Sequence, residues 1–230
     1  MSSTTSLEGE LSCLTLKPDI HATIAHVAAY PVPNAHLQKS LGKTISSSDG
    51  VEVMREGGEE TRTDLDSHAN MCVVGNQVKI VNRSGRHAEV NAFSPDLESL
   101  QRVPIIDAAI AYDCPYSMKT FILIVRNALH VPSMDHNLLP PFIMREAGIT
   151  VSEIPKIHVN QASVEDHSIY CPEAELRIPL ALWGVFSYFP SRMPMDNELD
   201  ECDKIIITPD GPEWNPHSDV YARNEENYLD

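Results

Sequence analysis

Between Thr61 and Leu129 the chain breaks into short runs rich in valine, isoleucine and phenylalanine, each bounded by turn residues. That rhythm is what an all-β domain produces. It predicts strands at 61–66, 71–74, 78–82, 87–92, 103–112 and 119–130, with a turn at Arg83-Ser84-Gly85 and a long hairpin whose tip is Asp113-Cys114-Pro115-Tyr116-Ser117. Asp135 is placed to cap a short helix over 137–147, which Pro140 and Pro141 confine to the residues after them and which Gly148 ends. A second β-rich stretch follows, with strands expected at 149–151, 176–179, 185–189 and 204–208 and a helical turn at 197–202.

Residues 1–58 are rich in Ser, Thr and Gly and hold no sustained period, so they read as a disordered or variable extension. Ile20, Ile24 and Val27 suggest a short helix over 19–30 within it, and 51–55 reads as a first strand. The chain thus divides into an N-terminal extension (1–58), a β domain (59–150) and a β-containing acidic extension (151–230). From Asp196 onward 11 acidic residues face two basic ones, a net −9, as expected of a solvated acidic segment.

Composition removes several function classes. A hydrophobic content of 42% is enough for a core, while no apolar stretch reaches the roughly 18 residues of a membrane span. The start of the chain has no basic segment leading into an apolar run, so an intracellular, cytoplasmic protein is expected. Five cysteines, odd in number and scattered, read as reduced thiols. A net charge of −16 without clustered Lys and Arg opposes binding to nucleic acid. Gly42-Lys43-Thr44 lacks the earlier glycine and the preceding strand of a phosphate loop. His68 and Cys72 stand four apart with Asp66 and His87 near in sequence, but that step converges on a zinc ion from a helix and here falls on strand and turn, so no metal and no cofactor is expected. Cys72 reads as a small buried residue. No feature of the sequence brings a serine or cysteine nucleophile to a histidine.

Asp66-Ser67-His68-Ala69 is entered through Thr61-Arg62-Thr63-Asp64-Leu65 and left through Met71-Cys72-Val73-Val74-Gly75. This segment resembles the catalytic turn of a retroviral-type aspartic protease. Asn127 to Leu139, with His130-Val131-Pro132 and Asn137-Leu138-Leu139, resembles the end of the protease domain in copia-type retrotransposon polyproteins, and lies about 70 residues after the turn as that family requires. The resemblance covers 61–148.

The family implies a mainly β fold, a retropepsin-like acid-protease half-barrel with a short helix, and a homodimer with a peptide or polyprotein substrate between its protomers. Such enzymes hold a water between two carboxylates that share one proton, and one copy of the motif per chain makes the partner obligatory. Asp66 would activate the water, Ser67 would hydrogen-bond across the two-fold axis to the partner's backbone, and Ala69 is small enough to let the two turns approach. The hairpin at 113–117 would be the flap, with Ile110, Tyr112, Tyr116 and Met118 gripping the substrate. His68 stands where the family has glycine, and a side chain forced into a glycine conformation costs roughly 1–3 kcal/mol. The alternative is therefore a catalytically inactive, retrotransposon-derived remnant that serves as an interaction module.

Overall fold

Alternation of side chains along the strands sets the layers of the molecule. A computed structural model describes residues 20–23, 60–91, 100–209, 211, 215 and 217–228. The chain is mainly β: β1 (Ile20–Thr23), β2 (Glu60–Leu65), β3 (Val73–Val74), β4 (Lys79–Asn91), β5 (Leu100–Asp113), β6 (Thr120–His130) and β7 (Asn137–Leu139) precede the short helix α1 (Pro141–Glu146). After it come β8 (Thr150–Ser152), β9 (Ser168–Cys171), β10 (Leu176–Pro179), β11 (Ala181–Trp183), β12 (Phe186–Arg192), α2 (Glu198–Glu201), β13 (Asp203–Ile206) and α3 (Val220–Asn227).

The main sheet closes on itself. Neighbouring strands run β5–β12–β2–β7–β3–β6, and β6 pairs back onto β5, so six strands form a ring. β4 extends the sheet beyond β5, β13 lies parallel to β6, and β11 folds back on β12. Because successive residues of a strand face opposite ways, Ile106, Ala108, Ile110 and Tyr112 of β5 enter the main core with Leu123 and Val125 of β6 and Phe189 of β12. Val103 and Ile105 of β5 join Met71, Val73 and Leu129 in a second cluster. A separate sheet, β10–β9–β8, adds Val151, Ile169, Cys171 and Ile178 to the main core. Among the described residues no helix is long and apolar enough to cross a membrane.

Several local expectations change. Ile20–Thr23 is a strand, parallel to β4 in the register Ile20↔Ala88, where a helix was predicted. The rest of that helix and the strand expected at 51–55 lie outside the described residues. The turn at Arg83-Ser84-Gly85 is absorbed into one long strand as a shift of register between Arg83 and His87, where Ser84 Oγ donates to the Ile105 carbonyl at 2.6 Å. The helix predicted from residue 137 begins at Pro141, since 137–139 are strand β7. Asp135 does not cap it; that carboxylate bonds His136 Nδ1 at 2.7 Å. The boundary drawn at residue 150 does not divide the sheet, because β12 lies between β2 and β5 within the ring.

One largely covered cation fastens this late strand. Arg192 of β12 reaches Asp113 at the end of β5 (2.8 and 2.9 Å) and Glu198 of α2 (2.7 and 2.8 Å). Its bonds to Glu198, helped by the Met195 N–H, hold that carboxyl below its usual value of 4.5. A carboxylate whose folded value is depressed adds stability above the unfolded value and gives it up as pH falls through the folded one. Denaturant titrations will therefore show stability dropping below about pH 4.5. Glu198→Gln will remove part of that acid slope and cost about 1.5–3 kcal/mol at pH 7.

Candidate active site

The ring contains one threading. β7 pairs with β2 in parallel (Thr63↔Asn137, Leu65↔Leu139) and with β3 antiparallel (Val73↔Leu138), so it runs between them. The segment joining β2 to β3 must therefore bridge two strand spacings, about 10 Å, past the end of β7. Asp66-Ser67-His68-Ala69 is that bridge. It is tied to β7 by the Asp66 N–H to the Leu139 carbonyl (3.1 Å) and closed by the Ala69 N–H to the Asp66 carbonyl (3.4 Å).

Within the turn Asp66 is only 7% exposed. Oδ1 accepts the His68 N–H at 2.9 Å, while Oδ2 is buried and has no hydrogen-bond partner. Native proteins seldom leave a buried polar atom unpaired. Ser67 and His68 are exposed, with Ser67 Oγ 3.4 Å from His68 Nδ1, and Ala69 is buried. His68 is not among the residues with positive φ, so the strain expected from a side chain at a glycine position does not arise. The bond to Asp66 needs only the backbone amide of residue 68, which histidine supplies as glycine would.

Beneath the turn, polar groups lock the two arms. Asn137, 1% exposed, accepts the Gly75 N–H at Oδ1 (3.0 Å) and donates from Nδ2 to Thr63 Oγ1 (3.2 Å), which in turn meets Ser191 Oγ of β12 at 2.9 Å. A Cβ at Gly75 would lie 2.4 Å from the Met134 carbonyl oxygen and 2.7 Å from that of His136, both backbone atoms that cannot swing aside. Arg62 grips Asp64 through Nε at 2.8 and 3.1 Å.

The turn opens on a cleft of about 320 Å³. Asp66, Ser67 and His68 line it with Leu65 and Leu138, and Val185, Phe186 and Ser187 from the β11–β12 hairpin line it too, as does Glu153. Ser187 Oγ lies 2.9 Å from Nε2 of the buried His167, whose ring is held below the usual histidine value by burial and then by Lys156. A larger cleft, about 620 Å³, contains Arg86, Asp107 and Asn127, and these three are bonded to one another or to neighbouring groups. Asn127 bonds Arg86 and the Gly211 carbonyl, and Asp107 takes the Asn82 amide. The unpartnered carboxylate oxygen distinguishes the smaller cleft.

Asp66, Ser67 and Ala69 thus share one turn, whereas the predicted substrate-gripping residues are elsewhere. Ile110 and Tyr112 are core residues, and Tyr112 packs edge-on against Phe189 with centroids 6.1 Å apart. Tyr116 and Met118 are 78% and 72% exposed at the tip of the β5–β6 hairpin. None of the four lines the Asp66 cleft of the single chain, and Arg192 holds Asp113, where β5 runs into the hairpin tip. The residues that do line the cleft, Val185 to Ser187 and Glu153, were missed; the only local hint was Gly184 between two large apolar residues.

Cys72 is buried on the strand side of the turn, and burial pushes its thiol up. Cys72, Cys114, Cys171 and Cys202 are free, and Cys13 lies outside the described residues. Among the described residues no three His, Cys, Asp or Glu side chains gather as a metal site. Comparison with protein-family models, curated proteins and solved structures found no match to the chain.

Replacing Gly75 by alanine will therefore force the 134–136 segment away from β3 and lower stability by about 1–3 kcal/mol. Thermal unfolding followed by circular dichroism measures this.

Proposed function

We propose that the chain is an aspartic endopeptidase of retroelement origin, with a retropepsin-like fold, in which two copies each contribute Asp66 to a water-activating dyad. The observation that carries this reading is the Asp66 carboxylate itself: one oxygen is fixed by a backbone amide, and the other is buried and unpaired beside a cleft. The threading of β7 between β2 and β3 supports it, because it places the carboxylate on a rigid turn and leaves Ser67 and His68 on the outside, where a second copy can meet them.

The chemistry follows from like charges. Two carboxylates brought together cannot both ionise, so one keeps a proton. The ionised one takes a proton from the water as its oxygen attacks the amide carbon, and the protonated one gives its proton to the carbonyl oxygen. Ser67 holds the two turns together across the axis. No metal or cofactor takes part in this reading, and the substrate is a peptide or polyprotein segment. The alternative, a catalytically inactive remnant that serves as an interaction module, still has the His68 side chain beside Asp66 in its favour, though not backbone strain at that residue.

The purified chain will cleave a mixed peptide library between acidic and neutral pH, and sedimentation equilibrium will find a dimer. Asp66→Asn will abolish cleavage with unfolding unchanged, and His68→Gly will retain it. If neither the native chain nor His68→Gly cuts any peptide while both stay folded, the enzyme reading is lost.

A further inference from the structure

The β11–β12 hairpin ends in a two-residue turn, Gly184-Val185, with Gly184 at φ +61°. Val185 is 85% exposed although it lines the Asp66 cleft, and Phe186 beside it is half-buried. Leu182 and Trp183 of the same hairpin are exposed too, and a group of exposed apolar residues, unlike a single one, marks a place where something binds.

The hairpin is held in place at several points. The Arg62 guanidinium lies 3.3 Å from the centre of the Trp183 ring, Ser187 bonds His167, and the Leu180 N–H donates to the His167 carbonyl at 2.8 Å. β12 itself is zipped to β2 from Tyr188↔Asp64 onward, two residues from the catalytic carboxylate. A surface fixed before binding loses little entropy when it is covered.

The charges in the cleft choose the ligand further. Asp64, Asp66 and Glu153 are its ionisable acids, and of these Asp64 is neutralised by Arg62 at 2.8 Å. Glu153 meets Arg145 only at 3.4 Å in an exposed pair of little strength. A cation is therefore welcome and an anion is not, in a chain that already carries −16.

We infer that this hairpin is the specificity wall of the site: Val185 and Phe186 take a bulky apolar side chain of a peptide, and Glu153 attracts a basic residue next to it. The cleft has room for side chains and the backbone that bears them, not for a folded domain. The inference deepens the protease reading and rests on it for the role of Asp66.

Binding, not turnover, tests it. The full chain carrying Asp66→Asn and Trp214→Phe has Trp183 as its one indole, and its emission is followed as capped hexapeptides are added. One peptide has phenylalanine and lysine at its centre, one has serine for the phenylalanine, and one has glutamate for the lysine. The first is expected to bind saturably and each of the others at least tenfold more weakly.

Adding Val185→Ser should erase the preference for phenylalanine over serine, and Glu153→Gln the preference for lysine over glutamate. Val185 is exposed and Glu153 half-buried, and circular dichroism checks that each variant folds. The inference is overturned if no peptide binds, if the preferences survive both variants, or if emission changes only with protein concentration, which would make the hairpin a contact between copies. Failure of the protease reading looks different: the native chain binds the first peptide with these preferences and never cuts it.

Discussion

The candidate site depends on a strand three residues long held between two others. β7 can sit between β2 and β3 only if the chain that crosses over its end is short and fixed, and Asn137 supplies the fixing: one buried amide joins the backbone of Gly75 to the hydroxyl of Thr63. A buried amide with both ends bonded stabilises the arrangement, whereas the same group unpaired would oppose it. Gly75 is needed because the 134–136 backbone passes within reach of a missing Cβ. The geometry of Asp66 follows from these contacts beneath it as much as from the four residues of its own turn.

How far this could be read beforehand depended on distance along the chain. The long strands β5 and β6 are legible because their apolar residues alternate and their hairpin is local. Leu176–Pro179 is bounded by short turns and was found with the same ends. Asn137–Leu139 reads as the start of a helix because three residues before two prolines carry no period; they become a strand only by slotting between partners more than 60 residues upstream. The Arg83-Ser84-Gly85 turn has turn chemistry, yet the Ser84 hydroxyl and the continuing pairing with β5 keep it within one strand.

The site was half visible for the same reason. Asp66 and Ser67 announce themselves through a local motif, and the two share one turn closed by the Ala69 N–H on the Asp66 carbonyl. The cleft wall did not. Two hairpins, β5–β6 and β11–β12, both carry large apolar residues around a turn, and nothing within either segment says which stands beside Asp66. That is decided by β12 inserting next to β2, a pairing across more than 120 residues. At residue 68 the motif shows only the side chain that differs, while the bond to Asp66 uses the amide.

The insertion of β12 also bears on how the molecule is made. The ring has a gap between β2 and β5 until residues near Ser191 and Arg192 exist to fill it, so a growing chain that has just completed β7 and α1 still has β2 without one of its neighbours. Such long-range closure is slow, and a waiting strand edge is an invitation to pair wrongly. The cleft beside Asp66 thus has no second wall until the last third of the polypeptide arrives.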